Sequence, residues 1–251
     1  MSDEFPTNRR SSALDRAFDS PDAKLRHNSR LFTTIASRYD LITRLLSFGR
    51  DQAWKKRLVD LASIGSKDRV LDLACGTGDL AFLASAKGAA VVALDLTPRM
   101  IELARERPEA RHRAVGWMVG DMTKLPIATA SVDVVTTGYG LRNVPDLPAA
   151  LAEICRVLAP NGRLCALDFD RPRNAVVRAI YLAYLNAVGG TLGRLLHRDP
   201  ETYQYIPASI RRYPGAKGVA EMMRAAGFVD VRHLPVFGGF MAIHVARRPV
   251  V

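Results

Sequence analysis

VLDLACGTGD, residues 70–79, is the stretch from which the rest of the chain is read. Val70, Leu71, Leu73 and Ala74 form a short apolar run that reads as a strand, with Asp72 set inside it. Gly76 and Gly78 flank Thr77, and Asp79 follows directly. With Ala81 the glycines satisfy G-x-G-x-x-[GA], a loop that lets backbone approach a ligand after the first strand of a doubly wound sheet. The glycines alone do not choose the ligand, but the carboxylates do. Beside a pyrophosphate, Asp72 and Asp79 would repel; beside a ligand carrying an ammonium and a sulfonium, they attract. S-adenosylmethionine is such a ligand and has no phosphate, so the loop reads as a methyl-donor site and not as a nicotinamide site.

Outward from this stretch the pattern alternates. LAFLASA reads as a helix ended by Gly88, AVVALD as a strand, and Thr97-Pro98 opens another helix. Strand signals recur at GWMVGD, SVDVVTTG and GRLCALDF, with helical LPAALAEICRVLA between the last two. Strand and helix at this pace predict a parallel sheet with crossover helices. Beyond Phe169 the rhythm changes to an aromatic, helical stretch, read as a cap over 171–215. The final unit, 216–251, has the helix VAEMMRAAG and two strands, FVDVRHLPV and FMAIHVARR, joined at Gly238-Gly239 and expected to pair antiparallel. Upstream, Ile35, Tyr39, Ile42 and Leu46 recur at helical spacing up to Gly49, and a second helix is expected from Asp51 to Ala62. Residues 31–65 are thus N-terminal helices and 66–170 a cofactor-binding core, while 1–30, polar and charged, read as a flexible arm.

Composition narrows the class. The chain has 251 residues, 48% apolar and 24% charged, as a single soluble domain has. No run of about eighteen apolar residues predicts a membrane span, because Arg178 interrupts the nearest one. The N-terminus has no apolar signal-peptide core. Cys75, Cys155 and Cys165 are odd in number and form no CxxC pair, which fits a reducing cytoplasm and neither a disulfide framework nor a zinc site; no metal is expected. The formal net charge of +11 favours anionic partners. Two readings of it stand, a solvated surface and attachment to an anionic membrane face. Nucleic acid is not expected, since no arginine-rich arm or aromatic-basic interleaving is present. A homo-oligomer stays open, as the pattern has no clean exposed interface stripe.

Further carboxylates stand at strand ends. Asp95 closes the second strand, where a side chain can accept both hydroxyls of a ribose. The alternative, a cap for the Pro98 helix, is a role Thr97 fills better. Asp121, after Gly120, can reach an adenine edge or cap a helix. Asp168 and Asp170 end the fifth strand, to orient substrate or to cap the next segment. His244 alternates with apolar residues and reads as structural.

VLDLACGTGD, ALDLTP and VGDM together resemble the class I S-adenosylmethionine-dependent methyltransferases. FTTIASRYDLITRLLSFG (32–49) with Trp54, YGLRNVPD (139–146) and ETYQYIPASIRRYP (201–214) resemble, more narrowly, the ubiquinone/menaquinone biosynthesis C-methyltransferases, over roughly residues 31–251. The resemblance implies a Rossmann-like α/β fold, a mostly parallel seven-stranded sheet with an antiparallel last strand. It implies C-methylation of a polyprenyl quinol: demethylmenaquinol, and in some members the 6-methoxy-benzoquinol precursor of ubiquinone. It places S-adenosylmethionine against Asp72, Gly76, Thr77, Gly78, Asp95, Leu96, Asp121, Met122, Gly138 and Tyr139. Gly138-Tyr139 departs from the Ser-Phe of some members, at a cofactor contact, and Cys75 replaces a glycine of others. Arg142 and Asn143 line the substrate site in the family, Arg142 to stabilise a phenolate or relay its proton and Asn143 to hydrogen-bond the ring oxygen. Tyr39 would close over both ligands, and the protein would work in the cytoplasm, peripherally at the inner membrane face.

Blander readings stand beside these. Tyr39 lies on an apolar stripe and also reads as core, and Arg142 also reads as a loop staple paired with Asp146. Tyr181, Tyr184, Tyr203 and Tyr205 could line a groove for an isoprenoid tail or pack as core. A class I methyltransferase with another lipid or small-molecule acceptor would keep the glycine loop and dispense with Arg142. A nucleic-acid-binding protein on the same frame rests on the charge alone.

Overall fold

In the computed structural model the described residues are 13–172, 175–197 and 204–250; Tyr203 lies outside them. Seven strands form one sheet in the order β3-β2-β1-β4-β5-β7-β6. They are β1 (Arg69–Leu73), β2 (Ala90–Asp95), β3 (Val115–Val119), β4 (Val132–Gly138), β5 (Leu158–Phe169), β6 (Val229–Val236) and β7 (Met241–Arg247). The pairs from β3 to β5 are parallel, and β7 runs antiparallel to both β5 and β6. Chain order reverses at β1 and β4, so their carboxyl ends flank the crevice where such sheets bind ligands.

Period-two alternation explains the two cores. On β1, Leu71 and Leu73 face one layer with Leu151, Ile154 and Met223, from α7 (Leu147–Val157) and α10 (Gly215–Ala225). Val70 faces the other layer with Leu58, Leu80 and Ala84, from α4 (Asp51–Leu61) and α5 (Asp79–Ser85). Leu71, Leu151 and Ile154 are wholly buried, and truncating any one to alanine costs about 2–5 kcal/mol. Asp72 shares the parity of Val70, so it points toward α4 and α5 beneath the glycine loop. The helix α6 (Pro98–Glu106) follows β2, with Pro98 in its first turn.

The N-terminal boundary differs from the reading of 1–30 as a flexible arm. A short turn, α1 (Ala13–Arg16), precedes a 15-residue helix, α2 (Pro21–Ile35), that starts inside that stretch. Ser20 caps it, accepting from the Ala23 N–H at 3.1 Å, and Pro21 and Asp22 occupy its first turn. The single helix read from Leu31 to its close at Gly49 is broken by a 3-10 turn at Ala36–Arg38 before α3 (Tyr39–Leu46). The cap consists of α8 (Ala175–His197) and α9 (Tyr205–Arg212). No helix among the described residues is long and apolar enough to cross a membrane.

Candidate active site

The glycine loop is shaped from both sides. Gly78 sits at φ +91°, and a Cβ there would come within 2.6 Å of Trp117 and 3.0 Å of Phe82. This position needs glycine for conformation and for space, since a side chain at positive φ is strained. The Gly76 N–H donates to Asp95 Oδ2 and the Thr97 N–H to Asp95 Oδ1, each at 2.8 Å. Thr97 itself supplies no side-chain cap to α6, contrary to expectation; the Asp95 carboxylate takes its N–H instead.

Two cavities adjoin at the carboxyl edge of the sheet. The first holds about 680 Å³ of empty space and brings together Gly76, Asp95, Leu96, Asp121, Met122, Gly138 and Tyr139 from the expected set. Asp72 and Thr77 line a smaller recess beside it, with Lys55 and Asp79. Gly78 lines neither and serves packing. The second cavity, about 760 Å³, is walled by Leu31, Ile42, Leu46, Trp54, Tyr181 and Met241, with Arg142 as its charged member. Phe32, Tyr39, Tyr139 and Asn143 belong to both. Tyr39 stands over the loop, its Cε1 3.8 Å from where a Gly76 Cβ would be.

The two loop carboxylates differ in charge state. Burial would raise the Asp79 carboxyl. Lys55, 2.7 Å away, outweighs burial, with bonds from Lys55, Arg107 and Gln52, and brings it to about 2. Its charge is already paired with Lys55 and Arg107, whereas the sequence alone reads it as free for a cationic ligand. Burial lifts Asp72 to about 7 against a 2.8 Å bond from the Thr136 hydroxyl. Asp72 therefore titrates near neutrality under the loop. Burial also raises Asp95, against the N–H bonds from Thr97 and Gly76.

Arg142 and Asn143 follow β4, where Tyr139 adopts φ +62° and turns the chain. The Arg142 guanidinium is buried, 4.6 Å over the Phe169 ring. Its Nε donates to Asp168 Oδ1 at 3.4 Å and its Nη1 to Ser209 Oγ at 2.6 Å. Its partner is thus Asp168, not Asp146, which caps α7 by accepting from the Ala149 N–H. Asp168 also accepts from the backbone N–H groups of Arg142 and Phe169, while Asp170 accepts from those of Arg171 and Ala216 at the start of α10. The Asn143 side-chain N–H₂ donates to the Tyr139 carbonyl at 2.8 Å, and its buried Oδ1 has no partner among the described residues. That oxygen can accept a hydroxyl proton from a ligand. His244 is buried against the Ala216 carbonyl, as a structural residue is.

The residues missed in the sequence come from α2. Lys24 Nζ donates to the carbonyls of Arg142 and Val144, at 3.1 and 2.7 Å, and Asn28 donates to that of Asn143 at 2.6 Å. Leu25, Asn28 and Phe32 line the first cavity. Their signal was available in the Ser20-Pro21 cap and in the helical spacing of 25, 28 and 32.

Comparison with known proteins agrees with this layout. The model of the ubiE/COQ5 methyltransferase family matches residues 20–248. A demethylmenaquinone methyltransferase of Thermus thermophilus is 43% identical over 221 residues, 87% of this chain and 100% of that protein. A ubiquinone/menaquinone biosynthesis C-methyltransferase of Dinoroseobacter shibae is 40% identical over 85% of this chain and 87% of its own length. Among solved structures, a methyltransferase of Bacillus halodurans superposes with a TM-score of 0.59 at 21% identity, over 80% of this chain and all of that one. One of Thermotoga maritima gives 0.61 at 18%, over 88% and 99%. With the match beginning at Pro21's cap and running through β7, the chain belongs to the ubiE/COQ5 methyltransferase family.

Proposed function

We propose that the protein transfers a methyl group from S-adenosylmethionine to a ring carbon of a demethylated polyprenyl quinol, converting demethylmenaquinol to menaquinol. The 2-polyprenyl-6-methoxy-1,4-benzoquinol precursor of ubiquinone is a second acceptor. The single observation that carries this reading is the pair of adjoining cavities. One is floored by glycines and edged by Asp95 and Asp121; the other is walled mainly by aliphatic and aromatic side chains, with Arg142 as its charged member and Asn143, Thr43 and Ser47 as polar ones. The names of the similar proteins from Thermus and Dinoroseobacter point the same way.

The methyl donor fits the first cavity. It supplies an electrophilic methyl on a sulfonium. Asp95 has one N–H on each oxygen and lone pairs left for a ribose diol. Asp121, also held by one backbone N–H at 2.8 Å, faces the same space for the adenine edge. Asp72, ionised above about pH 7, adds a negative charge beneath the loop for the cationic end.

A phenolic ring in the second cavity has its acceptor in Asn143 Oδ1, which orients the hydroxyl. Arg142 keeps its Nη2 edge free of hydrogen bonds to any described residue, on the cavity wall, for the oxyanion that forms when that hydroxyl loses its proton. The negative charge then passes to the adjacent ring carbon, whose electron pair forms the new bond to the methyl in line as the carbon–sulfur bond breaks and S-adenosylhomocysteine leaves. That ring carbon then gives up its own proton and the ring oxygen regains one, so one proton per transfer goes to solvent. Tyr39 and Tyr139, shared by both cavities, exclude water where the two ligands meet. The test is methyl transfer to a reduced short-tail demethylmenaquinol by the parent and by Arg142→Ala. Transfer to another lipid acceptor by an active Arg142→Ala enzyme would favour a different substrate. The substrate's tail and the +11 charge together support a peripheral position on the cytoplasmic face of the membrane.

A further inference from the structure

Large apolar side chains are not scattered evenly over the surface. Of the eight that are exposed among the described residues, five are Leu41, Leu45, Phe48, Val176 and Ile180. Leu41 and Leu45 are one helical turn apart on α3, and Phe48 follows just past its end, so they form one ridge. Val176 and Ile180 are one turn apart on α8, and Tyr184 continues that ridge. The ridges meet, because the Phe48 and Tyr184 rings stack with centroids 5.5 Å apart. Phe48 is 62% exposed, Val176 67% and Ile180 65%. Continuous apolar exposure of this kind marks an interaction surface.

The same helices wall the apolar cavity. Ile42 and Leu46 of α3 and Tyr181 of α8 line it from within, while the ridges lie on their outer sides. Cations accompany the patch. Arg44 is exposed within the α3 ridge, between Leu41 and Phe48, and Arg50 is exposed just beyond it. The acidic residue of α3, Asp40, is turned toward the glycine loop, where it accepts from the Thr77 hydroxyl at 2.7 Å. An apolar ridge interleaved with arginines, on a chain of net charge +11, complements an anionic lipid surface.

We propose that the α3–α8 face, built from Leu41, Leu45, Phe48, Val176 and Ile180 with Arg44 and Arg50, docks on the anionic lipid bilayer and sets the mouth of the apolar cavity against it. The position of the face beside that cavity rests on the quinol reading of the site; the docking itself does not. The occupant is the bilayer. A polyprenyl tail then stays in lipid while its head group enters between α3 and α8.

The experiment is sedimentation of the full chain with phosphatidylglycerol–phosphatidylcholine vesicles at low salt, with neither methyl donor nor quinol present. It compares the parent with Leu45→Glu/Ile180→Glu, and with Val119→Glu/Val229→Glu as a control at exposed positions elsewhere. The face predicts that the parent and the control sediment and that the first variant loses partition by more than about tenfold, from two apolar side chains no longer buried. S-adenosylmethionine binding and turnover of a water-soluble short-tail quinol stay within about twofold of the parent in that variant, which shows that it folds. Sedimentation of the variant like the parent overturns the proposal. So does a parent that stays in the supernatant, or one whose ridges instead hold a dimer that the variant dissociates without any vesicle binding. Loss of vesicle binding in an enzyme inactive on every quinol would leave the docking face standing and refute the quinol reading alone.

Discussion

Arg142→Ala separates the structural from the chemical work of one side chain. The substitution removes an ion pair to Asp168, which is 1% exposed, a bond to Ser209 and a stack on Phe169. Breaking a buried pair costs about 3–5 kcal/mol, because the remaining charge is left uncompensated. Asp168 keeps two backbone N–H donors, and burial already raises its carboxyl against the charge of Arg142, so it takes up a proton readily once that charge is gone. The loss then falls near the low end, about 3 kcal/mol, or about 6–12 °C of melting temperature for a chain of this size. Removing a donor to a developing oxyanion lowers kcat by about 10²–10³. The two effects divide on adding Asp168→Asn, which removes the orphaned charge. The double variant should regain only part of the stability, since an amide can accept from just one of the two backbone N–H groups that Asp168 accepts on its separate oxygens, and none of the turnover, with methyl-donor affinity unchanged throughout. Thermal melts, titration calorimetry and single-turnover transfer to a short-tail quinol read these separately. A folded Arg142→Ala enzyme with kcat within a few-fold of the parent would refute the assignment of Arg142 to the oxyanion, and so would recovery of turnover in the double variant.

Gly78→Ala places a methyl 2.6 Å from Trp117 at a positive φ, and should cost about 2–5 kcal/mol in a denaturant titration from backbone strain and overpacking combined. Asp72 has its native pKa raised to about 7, so the folded state binds more protons than the unfolded one between about pH 4 and 7, and stability falls as pH rises through that window. Over the same rise the ionised carboxylate should tighten S-adenosylmethionine binding between about pH 6 and 8, and Asp72→Asn should flatten both profiles. Asp79 is the opposite case, depressed to about 2; its contribution is present above about pH 4 and lost as pH falls toward 2, and Lys55→Met should move that loss to higher pH in acid-unfolding curves. Lys24→Met removes both bonds that tie α2 to the 142–144 backbone, and should raise hydrogen exchange in α2 and lower kcat while leaving the melting of the sheet in place.

The sheet was legible because most strands are short apolar runs between turn residues; all seven overlap the runs read as strands, although β5 starts at Leu158, within the stretch read as the end of a helix. The antiparallel β6–β7 pair was legible from the Gly238-Gly239 turn. What local pattern did not reveal is pairing at a distance. Asp79 reads as a free carboxylate until Lys55 and Arg107, 24 and 28 residues away, close on it. Arg142 has Asp146 four residues on, yet the fold brings Asp168 from the neighbouring strand, and burial favours the partner that also accepts two backbone donors. The helix α2 was hidden by its polar outer face: among its 15 residues only Asn28 and Ile35 are buried, so composition reads as an arm while the cap at Ser20 reads as a helix. Asp95, Leu96, Asp121, Met122, Gly138 and Tyr139 meet in one cavity because each stands at the carboxyl end of a parallel strand, a position that sequence and topology both specify.

The most direct measurement is transfer of a labelled methyl from S-adenosylmethionine to a reduced short-tail demethylmenaquinol by the purified full chain, with the product resolved by carbon NMR. The two adjoining cavities predict label on a ring carbon, with Arg142→Ala reduced by at least about a hundredfold. Label on oxygen, or no transfer by an enzyme that binds the methyl donor, would contradict the assignment of the Arg142–Asn143 cavity to a quinol ring.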